Sequence, residues 1–138
     1  MSLKNKLLGM YNSQFKKYTS PKEYITLETS NSANEEEFEI YGNRLANWLI
    51  DRLKIYHTAN QLAKGEALEL GCGIDRLVKP ASMSFKSLAG VDFSSKMLDE
   101  AKLYLRDIKN ISLYENNGQD LNIFSDNSFN YVYSSGVI

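Results

Sequence analysis

The chain has 138 residues, a net charge of −1, 43% hydrophobic and 24% charged residues, which is the profile of one domain with enough length to bury a core. That charge gives no bulk attraction to nucleic acid or acidic lipid. The single cysteine, Cys72, and the single histidine, His57, exclude an intramolecular disulfide and a Cys/His zinc cluster. No apolar run reaches the ~18–20 residues of a membrane span, and the lysine-containing N-terminus is a poor signal peptide, so a cytoplasmic location is expected.

In chain order, Leu3, Leu7, Tyr11 and Phe15 recur at helical spacing, which predicts an amphipathic helix over 3–17. Residues 1–22 hold five lysines and no acid; residues 23–39 hold six glutamates and no base. The simplest reading is a solvated helix face followed by an acidic helix start. Asn34 followed by three glutamates starts a long helix over 35–57, with Phe38, Tyr41, Leu45, Trp48, Leu49, Arg52 and Tyr56 on one face and Trp48 assigned to the core.

From residue 65 the rhythm changes. "EALEL" (66–70) and "SLAGVDF" (87–93) read as strands, "SSKMLDEAKLYLRD" (94–107) as a helix capped by Ser94 or Ser95, and "ISLYEN" (111–116) and "FNYVYSS" (129–135) as further strands. A helix is expected from Ile74 or Asp75, cut short by Pro80. Alternating strands and helices argue for an α/β fold with a parallel sheet and right-handed crossovers.

The first strand leaves through Gly71-Cys72-Gly73, where the absence of Cβ atoms permits positive φ and close approach of a ligand to the backbone. Ligands in open α/β sheets bind at the carboxyl ends of the strands. A Gly-x-Gly turn alone is also simply a tight connection. Asp92, about twenty residues on at the end of the second strand, adds a carboxylate that can accept hydrogen bonds from both ribose hydroxyls of a nucleoside. A dinucleotide fingerprint requires a third glycine where Arg76 stands, and no Walker lysine is present. S-adenosylmethionine (SAM) has no phosphate, and Glu69 ahead of the glycines suits its cationic amino-acid end.

The stretches "LELGCGIDRL", "LAGVDFSSKMLDEAK" and "NNGQDLNIFSDNSFNYVYSSGVI" together resemble the class I SAM-dependent methyltransferases, from about residue 65 to the C-terminus. The resemblance implies a Rossmann-like open sheet, here its first four strands in the order 3-2-1-4, behind N-terminal helices. It implies that Glu69, Gly71, Cys72 and Gly73 hold the methionine part and Asp92 the ribose. Phe93 and Met97 pack on the adenine, Asp120 or Gln119 reaches the adenine edge, and Ser134 with Ser135 faces the methionine end and the substrate. Cys72 itself reads as a small hydrophobe, and no general base stands out.

The chain departs from the family pattern at Asp75, where a third glycine is frequent, and at Asn130, where Asp is frequent. It also stops after the fourth of the family's seven strands, which reads as a C-terminally incomplete domain: an arm or lid over 1–34, then the N-terminal part of the SAM-binding domain over 35–138. Strand 129–135 would then be an open edge through which a homodimer could form. The expected partner is a small-molecule methyl acceptor, with no membrane or nucleic acid. Two other readings stay open: a noncatalytic SAM-binding module or inactive fragment, and an NAD-dependent oxidoreductase.

Overall fold

The computed structural model describes residues 35–136; the expected N-terminal helix and arm lie outside them. The elements are α1 (Glu35–Leu53), α2 (Ala59–Lys64), β1 (Glu66–Leu70), α3 (Val78–Ala81) continued by a 3-10 turn (Ser82–Ser84), β2 (Ser87–Asp92), α4 (Ser95–Leu105), β3 (Ile111–Glu115) and β4 (Tyr131–Ser134). The strands form one sheet in the order β3-β2-β1-β4. All three pairings are parallel, with Glu69 opposite Gly90 and Tyr133. This is the α/β, Rossmann-like arrangement expected from the sequence.

The central strands β1 and β2 carry the core because both of their faces are covered. Side chains alternate between faces along a strand. Ala67 and Leu88 therefore meet the helical layer, packing with Ala46, Ile50, Leu62, Val78 and Leu98. Leu68, Ala89 and Val91 point the other way, where Leu121, Phe124 and Phe129 from the β3–β4 connection close over them. Phe124 and Phe129 meet edge to face at 4.9 Å between ring centres. Asn130 laces the start of β4 to β1: its Oδ1 accepts from the Glu66 amide at 2.9 Å, and its own amide donates to the Glu66 carbonyl at 2.8 Å.

Three expectations need correction. The first concerns Trp48, which is 61% exposed and lies under the Arg52 guanidinium at 5.6 Å rather than in the core. The buried stripe of α1 is Phe38, Gly42, Ala46 and Ile50, spaced by four. Small residues there bring the helix backbone close to its neighbour, and that proximity buries them in place of the large aromatic. The second concerns α1, which ends at Leu53; a separate helix, α2, begins after Thr58. Its start is a capping box, in which the Thr58 hydroxyl accepts from the Gln61 amide at 3.2 Å and the Gln61 side chain accepts from the Thr58 amide at 2.7 Å. The third concerns the helix after β1, which begins at Val78 rather than at Ile74 or Asp75; it is as short as expected, with Pro80 inside its first turn, where a missing N–H costs nothing.

Gly42 fixes the distance between α1 and the chain after β1, because a Cβ there would lie 2.2 Å from the Arg76 carbonyl oxygen. Neither backbone can yield without moving an element. Gly42→Ala is therefore expected to lower unfolding free energy by about 1–3 kcal/mol, measured by urea denaturation.

Candidate functional site

The loop after β1 has an unusual backbone. Gly71, Gly73 and Asp75 all take positive φ, at 68°, 60° and 72°. Alternate left-handed residues coil the chain tightly. The Gly71 and Cys72 amides both donate to the Val91 carbonyl, at 2.7 and 3.1 Å, and the Asp75 amide donates to the Cys72 carbonyl at 3.1 Å. Asp75 thus occupies a conformation that glycine takes freely and that Asp tolerates better than most residues.

Asp92, the last residue of β2, joins this loop to its own strand. One carboxylate oxygen accepts from the Gly73 amide at 3.0 Å, and the other accepts from the Ser94 amide at 2.8 Å. The Asp92 carbonyl accepts from the Asn116 amide at 3.0 Å. Ser94 then caps α4, its hydroxyl accepting from the Met97 amide at 3.4 Å. The ends of β1, β2 and β3 therefore converge. The Phe93 amide also stabilises this carboxylate, so three backbone amides draw on its roughly four acceptor positions.

Buried acidity is the second feature. Glu69 is 3% exposed and Asp75 is fully buried; among the described residues Glu69 Oε2 and both Asp75 carboxyl oxygens have no hydrogen-bond partner. Burial raises the Glu69 carboxyl well above the ordinary range, and the neighbouring Asp75 raises it further. Burial does the same to Asp75, with Asp92 adding repulsion. Asp92 is raised by burial too, against the lowering effect of its amide bonds. Tyr133, opposite Glu69 in the β1–β4 register, holds its hydroxyl near that carboxyl without a hydrogen bond of good geometry. Burial and the surrounding acids push the Cys72 thiol upward, so it is no thiolate nucleophile. Among the described residues no group of three or more His, Cys, Asp or Glu side chains is arranged to hold a metal ion.

The remaining sequence-derived candidates divide. Phe93 is half-buried and abuts Gly118, where a Cβ would lie 3.4 Å from its own. Met97 is fully buried, packed with Phe38 of α1 and Ile74 of the glycine loop. Gln119 and Asp120 are exposed on a turn organised by Asn117, whose Oδ1 accepts from both their amides at 2.8 and 3.0 Å. The Asp120 carboxylate accepts from Asn117 Nδ2 at 2.8 Å and from the Asn122 amide at 3.0 Å. Ser134 is exposed at the end of β4, opposite Leu70. The sequence marks the loop from Asn117 to Leu121 without the organising part of Asn117, and Tyr133 reads there only as a core or edge aromatic. The Asn-Gly pair at 117–118 was the available signal for the first, and strand register, unknown from sequence, for the second. A cavity of about 320 Å³ lies elsewhere, between α1, α3 and the end of α4. Its Glu39, Lys79 and Tyr104 satisfy one another's hydrogen bonds, and it includes none of the loop acids.

The methyltransferase-domain family matches residues 68–138, from the middle of β1 onward and including all of the converging loops. The chain belongs to this family. None of the curated proteins matches it. Among solved structures, this methyltransferase domain resembles phosphoethanolamine N-methyltransferase 1 of Haemonchus contortus, solved with phosphoethanolamine and S-adenosylhomocysteine: TM-score 0.66, 14% identity, covering 97% of this chain and 26% of that one. It also resembles a putative SAM-dependent methyltransferase of Methanococcus maripaludis, with TM-score 0.61, 20% identity, 72% of this chain and 44% of that one. A SAM-dependent methyltransferase of Clostridium acetobutylicum gives TM-score 0.56, 20% identity, 80% of this chain and 41% of that one. At such identities the likeness is one of fold. The methyltransferase domain described by this chain spans less than half the length of each of these three proteins.

The raised carboxyls make the ligand-free domain sensitive to pH. A carboxyl whose pKa is higher folded than unfolded binds more protons when folded, so its stability contribution is complete below about pH 4 and is lost as pH rises through the folded value. Thermal melts should therefore show stability falling with pH above the ordinary carboxylate range. The fall should be shallower for Asp75→Asn. Asp75→Gly should be more stable than the parent by about 1–2 kcal/mol near pH 8, since it removes a buried unpartnered group and the left-handed strain together.

Proposed function

We propose that the chain carries the cofactor-binding half of an S-adenosylmethionine-dependent methyltransferase acting on a small-molecule acceptor. One observation carries this reading: a glycine loop at the carboxyl end of β1 is backed by buried carboxyl oxygens that lack partners. A buried acceptor without a donor is costly, and a ligand with ammonium and sulfonium charges brings a donor to Glu69 and positive charge to the neighbourhood of Asp75. A pyrophosphate would bring negative charge to the same place, which disfavours the nicotinamide alternative. The resemblance to the Haemonchus enzyme, solved with S-adenosylhomocysteine and phosphoethanolamine, supports both the cofactor and the size of acceptor.

In this reading Asp92 meets the ribose hydroxyls with the acceptor capacity that its amide bonds leave, while those bonds keep Gly73 in place. Gly71–Gly73 offer bare main chain to the methionine part, Phe93 gives an apolar wall, and Gln119 or Asp120 lies on the turn that would border the adenine. Ser134 and Ser135 close the β4 side. When bound, SAM supplies a methyl carbon already activated by its sulfonium, so the protein's share is orientation and exclusion of water. Residues 1–34 serve as an arm or lid over this site, and residues 35–138 as the cofactor-binding unit. The β4 edge is unpaired on one side among the described residues, with Val132 56% exposed, and pairs two copies as a homodimer. Sedimentation showing only monomer at high concentration removes that part.

Titration calorimetry tests the cofactor. S-adenosylhomocysteine should bind and NAD should not, and Asp92→Ala should weaken binding by about 1.5–3 kcal/mol, the scale of hydrogen bonds to a charged group. NAD binding in preference to S-adenosylhomocysteine reverses the assignment. Turnover of methyl-labelled SAM with mixed small amines and alcohols separates an enzyme from a noncatalytic binding module.

A further inference from the structure

Asp75 is the one buried acid at the loop to which the proposed function gives no direct contact. It is fully buried, in a left-handed backbone, with both carboxyl oxygens unpartnered. The adjacent Cys72 thiol is a weak donor: its hydrogen bond of good geometry runs to the Gly73 carbonyl at 3.9 Å, and its pull on the Asp75 carboxyl offsets burial only in part. Every other ionisable group close by is an acid or faces another partner. Glu69 comes from β1 and Asp92 from the end of β2, and the Tyr133 phenol of β4 lies nearest Glu69 while feeling Asp75 as a further acid. The Arg76 guanidinium acts on Glu69 and lies over the Tyr41 ring of α1 at 4.6 Å. No cation in the described fold faces Asp75. Two devices that would keep such a group at no cost, an internal salt bridge and a full set of donors, are both missing.

We propose that Asp75 makes the glycine loop a proton-coupled receptor for positive charge, binding a sulfonium ligand with release of a proton to solvent and holding its neutral thioether counterpart less tightly. This rests on the reading of the chain as SAM-dependent. A buried carboxylate acts through low-dielectric surroundings over several ångströms, so Asp75 needs no direct contact with the ligand. It is a positioning and charge-selecting residue rather than a catalytic one. With no ligand, the crowded acids hold a proton. Arrival of a fixed positive charge makes the ionised form favourable, and the proton leaves. Methyl transfer turns the sulfonium into a thioether and removes one positive charge; the proton returns from solvent, and the product loses the attraction that held the cofactor. The sign follows: affinity for SAM rises with pH from the ordinary carboxylate range upward, and affinity for S-adenosylhomocysteine rises less.

The test is calorimetry of the full chain with SAM and with S-adenosylhomocysteine, in phosphate and in Tris, which differ in ionisation heat and so count protons. The parent protein should release more protons with SAM than with S-adenosylhomocysteine, and its preference for SAM should grow between about pH 5 and pH 8. In Asp75→Asn, and independently in Asp75→Gly, the difference in proton release should vanish. The preference at pH 8 should fall roughly tenfold while S-adenosylhomocysteine affinity changes little. Unchanged proton counts and an unchanged preference in both variants overturn the proposal and leave the proposed function standing. Failure of the parent to bind either compound overturns both.

Discussion

The carboxylate of Asp92 holds the molecule's functional end together. It accepts from Gly73 on one side and Ser94 on the other, so one side chain fixes the exit of β1 and the entry to α4. Hydrogen bonds to an ionised acceptor are the stronger kind, each worth about 1.5–3 kcal/mol. Remove them and the Gly73 amide is buried without an acceptor, while Ser94 loses the anchor from which it caps its helix. The geometry that places a carboxylate beside a glycine loop is therefore also the geometry that closes the fold. Structure and site draw on the same bonds, and a substitution there tests both at once.

Much of this was legible because it is periodic or local. Strand β1 begins and ends where "EALEL" does, α4 starts at the serine that its sequence offers as a cap, and the loop glycines take positive φ as their composition suggested. The illegible parts are those set by neighbours in space. Trp48 has the character of a core residue, but α1 packs through Gly42 and Ala46, and nothing along the helix alone says which stripe faces inward. Tyr133 meets Glu69 only because β4 pairs with β1 in one register. Asp75 could be seen to replace a frequent glycine, whereas its full burial and lack of partners depend on the surrounding elements. Met97, assigned to an adenine wall by resemblance, is fully buried with Phe38 and Ile74, a contact of α4 with α1 and the glycine loop that periodicity alone does not disclose.

The loop acids set stability against readiness to bind. Burying Glu69 and Asp75 without partners works against the folded state, and the sheet tolerates it because the apolar sides of β1 and β2 are fully covered. Local departures from good folding practice collect where a chain has another task. Here the departures are the left-handed Asp75, the orphaned carboxyl oxygens and the phenol of Tyr133, and they cluster at one end of two adjacent strands. The fold-level likeness to known methyltransferases is independent of these side chains, because at 14–20% identity it reports the course of the backbone.

Gly42 has a mechanical consequence. At that point main chain touches main chain, with no rotamer between α1 and Arg76 to soak up a displacement. A shift of the segment behind the glycine turn has nowhere to go except into α1, a rod of 19 residues that begins at Glu35. The two therefore behave as one stiff block, like a bracket and the beam bolted to it.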